Sequence, residues 1–207
     1  WKFSTFAGIT NSFGSINDLY NGFILLSAKN LSAKNTDIQQ TKSNFVGSRL
    51  EYRNPLNNIF FNVSYNFNDR TSNITYLNKL NVDSQQFILE GYNLENNSKT
   101  NSARTELGKY FPKLKTNASV GYNYSLSNYQ QLPANSTPTE SSFIDVEGRN
   151  QGVSVKFNNN YFSWLSVDYN ANWSFSKTQS PDDSDFNNQT DLFNHALSAY
   201  VYPFKNH

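Results

Sequence analysis

Between Ile59 and Phe67 every odd position is large and apolar: Ile59, Phe61, Val63, Tyr65 and Phe67. Asn62, Ser64 and Asn66 fill the even positions after Phe60. Successive side chains of a strand point to opposite faces, so this alternation predicts a strand with one apolar and one polar face. The design recurs twice. Ala118, Val120, Tyr122, Tyr124 and Leu126 alternate with Asn117, Ser119, Gly121, Asn123 and Ser125. Leu165, Val167, Tyr169, Ala171, Trp173 and Phe175 alternate with Ser166, Asp168, Asn170, Asn172 and Ser174. A fourth segment sets Val46, Ser48, Leu50 and Tyr52 against Gly47, Arg49, Glu51 and Arg53.

In chain order, residues 1–9 alternate and predict a first strand, whereas 10–40 lose the period and read as a long loop with a short strand near Phe23. The strand at Ile59 is expected to continue through Ile74 and Tyr76 to a reversal near 81–84. A return strand then covers about 85–110, with irregularities at Gly91 and Asn96–Asn97. Tight turns are predicted around Pro55, Pro112, Asn159 and Pro203, since proline fixes φ and cannot donate to a ladder. Longer polar connections fall between them, around Asn135 and around Pro181–Asp183. Short turns at one end of the strands and long connections at the other are the pattern of an outer-membrane barrel, with the short turns periplasmic. Tyr52, Tyr110, Phe111, Tyr161, Phe162, Trp164, Tyr202 and Phe204 gather at the short turns, as an interfacial aromatic belt would.

Composition sharpens the question of what the apolar face meets. Only 37% of the 207 residues are hydrophobic, yet 16% are aromatic, and the polar positions are mostly uncharged Asn, Ser and Thr. Lipid outside and water inside would produce that distribution. On this reading Ile59, Phe61, Val63, Tyr65, Val120, Tyr122, Tyr124, Val167, Tyr169 and Trp173 face lipid. A net charge of +1 gives no basis for nucleic-acid binding. There is no Cys, hence no disulfide and no thiol nucleophile. No run approaches the roughly 20 apolar residues of a spanning helix. The strands would have to be closed by neighbours, because an open edge in lipid leaves backbone groups unpaired. Trp1 is not a translation start, so the chain is expected to be a processed or partial stretch.

The chemical inventory is thin. His195 and His207 lack the companions of a metal site. Asp182, Asp183 and Asp185 lack the glycine and terminal glutamate of a calcium loop and read as a solvated acidic loop. No phosphate loop or nucleophile–base order is present, so no cofactor and no enzymatic activity are expected. Arg49, Glu51, Arg104, Glu106, Lys156 and Asp168 share the parity of the Asn/Ser positions and are expected to face the lumen. They could line a substrate path, contact a plug domain, or brace adjacent strands as cross-strand ion pairs. Bracing and plug contact rank above substrate recognition.

The stretch from Tyr52-Arg53-Asn54-Pro55-Leu56 through Phe61-Asn62-Val63-Ser64-Tyr65 resembles a strand-turn-strand pattern in the barrels of TonB-dependent outer-membrane receptors. The nearest likeness is to the SusC-like and carboxypeptidase-regulatory-like-domain types of Bacteroidetes. Leu31-Ser32-Ala33-Lys34-Asn35, Gly108-Lys109-Tyr110-Phe111 and Tyr161-Phe162-Ser163-Trp164-Leu165 extend the resemblance in order. It implies an antiparallel transmembrane β-barrel of about 22 strands, of which this chain supplies about eight or nine. It also implies an extracellular loop at 10–40 and a plug domain and TonB as partners, the plug outside this chain. The implied function is TonB-dependent import of a nutrient across the bacterial outer membrane. The alternative is a non-transporting barrel subunit or scaffold, with a surface lipoprotein or other outer-membrane subunits as partners. A soluble or secreted β-rich adhesin would instead need the apolar faces to pack against each other.

Overall fold

The computed structural model describes residues 1–15, 19, 22–27, 29–33, 36–81, 85–133, 137–139, 142–182 and 187–202. The strands are β1 (Lys2–Phe13), β2 (Phe23–Ser27), β3 (Asn30–Ala33), β4 (Gln40–Asn54), β5 (Ile59–Ser72) and β6 (Thr75–Asn81). They continue as β7 (Gln86–Tyr92), β8 (Asn96–Phe111), β9 (Thr116–Gln131), β10 (Ile144–Phe162), β11 (Leu165–Gln179) and β12 (Asn188–Val201). The protein is all-β. Eight strands form one antiparallel sheet in the order β1-β4-β5-β8-β9-β10-β11-β12, which is open: β1 and β12 each have a neighbour on one side only. The other four form a second sheet, β2-β3-β7-β6, where β3 and β7 run parallel.

The large sheet is joined tightly at one end, through residues 55–58, 112–115 and 163–164. Pro55 follows Asn54, whose Oδ1 accepts hydrogen bonds from the amides of Leu56 (3.1 Å) and Asn57 (3.2 Å), an Asx-type turn. Asn58 closes it at φ 52°, a left-handed conformation that asparagine tolerates. At the second turn a short 3₁₀ helix, Pro112–Leu114, stops at Lys115, whose amide donates to the carbonyl of Pro112. At the opposite end the connections are long, and two of them supply the second sheet: β2 and β3 lie between β1 and β4, β6 and β7 between β5 and β8.

Several expected boundaries change. The short strand expected near Phe23 is β2, but the rest of 10–40 is not one loop, because β1 runs to Phe13 and β3 follows β2. β3 is four residues long and is held by parallel pairing to β7, a distant partner with no local trace. The Ile59 strand does not continue through Ile74 and Tyr76. It stops at Ser72, and the corner is fixed by Asn73, which accepts from the Gln40 amide (2.6 Å) and donates to the Ile38 carbonyl (3.2 Å). The return strand likewise breaks at 93–95 into β7 and β8, one in each sheet. The third tight turn is not at Asn159: β10 extends to Phe162 and reverses at Ser163–Trp164. Asn159 instead donates to the Leu114 carbonyl and to Thr116 Oγ1, and the register shifts between Asn159 and Phe162. These asparagines bind the neighbouring turn instead of making their own. The expected reversal at 82–84 and the features at Asn135, Asp183, Asp185, Pro203, Phe204 and His207 lie outside the described residues.

Residues paired across an antiparallel ladder share a face. One such row crosses all eight strands: Phe3, Leu50, Val63, Thr105, Tyr122, Val153, Trp173 and Phe193. The next row toward the tight turns is Tyr52, Phe61, Leu107, Val120, Val155, Ala171 and His195. The same face carries Ile59, Tyr65, Tyr124, Val167 and Tyr169. From the Phe111–Thr116 row to the Phe67–Leu126 row this apolar band spans about 33 Å along the strands, or about 25 Å in height at a barrel-like tilt of about 40°. Nothing covers it. No described element lies across either face of the large sheet, and Phe3, Leu107, Trp173 and Phe193 are 67%, 53%, 56% and 60% exposed. The four buried apolar side chains among the described residues, Ile74, Leu77, Leu132 and Val146, all lie toward the long connections.

The second sheet has its own polar fastening. Lys79 Nζ lies 2.7 Å from Glu90 Oε2 and donates to Tyr92 Oη at 2.8 Å, while the Tyr92 hydroxyl also donates to Glu90. Partial burial pushes the Glu90 carboxyl up, but the Lys79 and Tyr92 hydrogen bonds and the Lys79 charge outweigh it, so it sits below its usual 4.5. The bond to Glu90 holds Lys79 above its usual 10.5. A depressed carboxyl contributes stability above its unfolded value and loses it as pH falls through the folded one; a raised ammonium contributes below its unfolded value and loses it as pH rises through the folded one. The fastening should therefore hold from about pH 5 to pH 10. We expect hydrogen exchange of the β6–β7 amides to separate the protein from Glu90→Gln at pH 7, and the separation to close as pH falls through the depressed folded value of Glu90. A difference that does not narrow at all on acidification would mean that Glu90 acts without its charge.

Candidate functional site

The opposite face of the large sheet is the polar one. Its rows read Lys2, Glu51, Asn62, Glu106, Gly121, Ser154, Asn172, Asn194, then Ser4, Arg49, Ser64, Arg104, Asn123, Gly152, Ser174, Leu192. Arg53, Phe60, Gly108, Ser119, Lys156, Asn170 and Ala196 form a third row. Asp168 lies in a fourth row, beside Asn158. All six charged residues singled out from the sequence thus occur on this one face.

Their pairing is not the expected one. Arg49 and Glu51, both on β4, meet at 2.8 Å, and Arg104 and Glu106, both on β8, at 3.8 Å. The pairs run along each strand and do not bridge neighbours, because β5 separates β4 from β8 and presents Asn62 and Ser64 at these levels. The result is an acidic row, Glu51 and Glu106, next to a basic row, Arg49 and Arg104. The arginine side chains are 54% and 68% exposed, so such pairs contribute little to stability and leave both charges available to solutes.

Six of the nine glycines, Gly8, Gly47, Gly108, Gly121, Gly148 and Gly152, fall on this face. Side chains from the next strand lie over several of them. A Cβ on Gly8 would come within 2.6 Å of the Phe45 ring, and one on Gly152 within 2.5 Å of Asn123 Oδ1; the Phe6 ring covers Gly47 in the same way. Missing side chains on one face let the sheet bend toward it. On this face lies a depression of about 510 Å³ lined from five strands, by Arg104 of β8, Asn123 of β9, Ser154 and Lys156 of β10, Asn170 and Asn172 of β11 and Asn194 of β12. A second depression, about 420 Å³, is lined by Phe60, Asn117, Ser119, Lys156, Asn158 and Asp168. Lys156 belongs to both, and Asp168 accepts a hydrogen bond from the Asn158 amide.

Chemically this is a surface of amides and hydroxyls with cations set into it. It can hydrogen-bond and orient a polar solute or the polar surface of a protein. It presents no nucleophile beside a base, and no three metal-ligating side chains come together among the described residues. His195 borders the 510 Å³ depression between Asn194 and Ala196, while its row belongs to the apolar face of β12 and its ring stacks on Phe193 at 5.5 Å. Asp182 accepts from the Asp145 amide at 3.4 Å.

At the tight-turn end of the apolar face the rings cluster. Trp1 meets Tyr52 at 4.4 Å, Tyr161 meets Phe162 at 5.1 Å and Phe162 meets Trp164 at 5.7 Å, while Lys109 Nζ lies 5.2 Å from the Phe111 ring. Higher on the same face the hydroxyls of Tyr65 and Tyr122 reach one row toward the long connections, to Asn101 (2.7 Å) and Gln151 (3.4 Å). Two groupings had no local signal in the sequence: the Lys79–Glu90–Tyr92 fastening, and the juxtaposition of Arg149 with Lys177 across β10 and β11. No protein-family model matches the chain, and a search of curated proteins finds no significant similarity.

Proposed function

We propose that the large sheet is part of the wall of a transmembrane β-barrel of the bacterial outer membrane, working as a TonB-dependent receptor that imports a nutrient. The observation that carries the reading is the uncovered apolar band, continuous over eight strands, backed by a polar face with charges and depressions. A face of that size left to water would be a severe liability, whereas lipid is its natural solvent. The aromatic cluster at the tight turns supports an interface at that margin of the band. Further strands, on both edges, complete the wall, because unpaired backbone is not tolerated in hydrocarbon. Inside, the Arg49, Glu51, Arg104 and Glu106 rows meet the plug, and the amide-lined depressions near Lys156 meet solute. TonB supplies the energy from the other membrane.

A second reading, a barrel subunit that scaffolds an outer-membrane complex, is favoured by one feature. Phe23, Leu25, Leu26, Leu80 and Phe87 of the second sheet are all half or more exposed, at the end where a surface lipoprotein or another subunit would dock. Uptake measurements separate the two. The importer accumulates substrate only with TonB and an energised inner membrane, and a scaffold is indifferent to both.

The membrane assignment is tested first by solvent. In detergent or lipid the chain should stay dispersed, and on detergent removal it should aggregate. A monodisperse, detergent-free monomer with cooperative unfolding would end the barrel reading. Orientation follows from single cysteines, since the chain has none of its own. On intact cells, an impermeant thiol reagent should label Asn78→Cys in the second sheet and spare Leu56→Cys at the first tight turn. The opposite pattern would invert the topology.

A further inference from the structure

We propose that the apolar face carries a specific site for a phosphate-bearing lipid, running along β10 with its head toward the long connections. This inference rests on the membrane reading above and adds a defined ligand to it.

Three features stack on one face in the order such a lipid requires. Lowest is a groove of about 300 Å³ along β10, floored by Gln151 and Val153 and walled by Tyr122 of β9 and by Trp173 and Phe175 of β11. Val153 is small between two large rings, so the groove has the width of a chain and apolar walls. One row above Gln151 the ladder sets Arg149 directly opposite Lys177. Like charges across a strand pair are unfavourable unless an anion sits between them. Arg149 has one acidic partner, Glu147 at 3.1 Å, and its Nε is buried without any hydrogen-bond partner. Lys177 is exposed and has no ion pair among the described residues, although Asp191 lies one row below on β12. Above the cations is a polar cavity of about 660 Å³ lined by Lys99, Asn128, Gln130, Asp145, Glu147 and Gln179.

A lipid phosphate between Arg149 and Lys177 relieves their repulsion and supplies acceptors to both. Its acyl chain then descends the groove, and the rest of its headgroup enters the cavity. The distances agree. Arg149 and Val153 are four residues apart, about 13 Å along the strand, which brings mid-chain carbons level with Trp173. Phosphate–cation attraction at a membrane surface is strong enough to concentrate such a lipid about fivefold per cation.

Trp173 reports on its own groove. With Trp1→Phe and Trp164→Phe it is the one tryptophan left in these 207 residues, and tryptophans in any further part of the protein are replaced by Phe as well. In vesicles made wholly of phosphatidylcholine with brominated acyl chains, Trp173 should be strongly quenched. Absence of quenching there sinks the membrane reading and the lipid site with it. In vesicles where only a minority of phosphatidylglycerol is brominated, quenching should match a local enrichment of about fivefold or more over its share of the lipid. The Arg149→Gln, Lys177→Gln pair should return it to that share, and so should Val153→Phe, which fills the groove and keeps both cations. Quenching in proportion to composition in the unsubstituted protein would overturn the site while leaving the membrane reading intact. Full reversal by inorganic phosphate would also overturn it, in favour of a simple anion site with no need of an acyl chain.

Discussion

Tyr122→Arg should cost about 2–4 kcal/mol of folding free energy in the membrane, and Asn123→Arg, its immediate neighbour, about 1 kcal/mol or less. The register makes the comparison strict within each pair of neighbours, which share a strand and differ in depth by about one residue. Tyr122, Val63 and Trp173 occupy a single row of the sheet, which at a barrel-like tilt climbs about 3 Å per strand. Replacing any of them puts a guanidinium into hydrocarbon near the middle of the apolar band. Asn123 points the other way, into a row that already holds Arg49 and Arg104, and a third arginine there meets water or a polar partner. Its costs are the uncovering of Gly152, over which Asn123 lies, and repulsion from Arg104 directly opposite on β8, about 0.2–1 kcal/mol on a solvent-exposed face. Trp173 against Asn172 and Val63 against Asn62 should repeat the contrast in the same direction, with a magnitude that follows the depth of each residue. Unfolding in lipid or folded yield in the outer membrane measures it. Equal penalties on both faces would mean that both are packed in protein, as in a sandwich. A larger penalty on the asparagine side would make the polar face the buried one.

Gly47→Ala should destabilise the sheet by about 1–3 kcal/mol, while Gly108→Ala should be neutral or slightly stabilising. Both glycines are in strands on the polar face, so helical or turn conformation is not at issue, and neither has positive φ. What differs is the space above them. A Cβ on Gly47 would come within 2.6 Å of Phe6 Cε2 and 2.5 Å of Asn66 Oδ1. The ring of Phe6 would have to leave, and with it the tilted packing on Phe45 at 6.3 Å that fastens β1 to β4. A Cβ on Gly108 would meet nothing nearer than 3.7 Å, an ordinary contact. There the added side chain only removes the entropy glycine loses on folding. Denaturation of the two variants in the same detergent decides the matter. Equal effects would show that these glycines serve strand propensity alone, without the crowding of an inward-bent face.

Much of the sheet's two-sidedness is legible in the amino-acid sequence. The period-2 alternation at Ile59–Phe67, Ala118–Leu126 and Leu165–Phe175 assigns faces by local geometry alone, and all ten apolar and all six charged residues so chosen fall on opposite faces of one sheet. Pro55 and Pro112 mark real turns for the same local reason: a fixed φ and a missing donor act within a few residues. Asn159 misleads because a run of asparagines is turn-like by composition, while its side chain is engaged by Leu114 and Thr116, a contact set by the neighbouring hairpin.

By itself, then, the sequence determined where the central parts of the long strands run, which side of the strand each side chain takes there, and the asymmetry between short turns and long connections. Only the tertiary structure decided that β6 and β7 leave the main sheet, and that β3 runs parallel to β7. It alone decided that Arg49 and Arg104 pair along their own strands, and that Arg149 faces Lys177 above an apolar groove. Those are matters of register between distant segments. Alternation is blind to them, because sliding one strand past its neighbour by two residues keeps every side chain on its face and changes every partner.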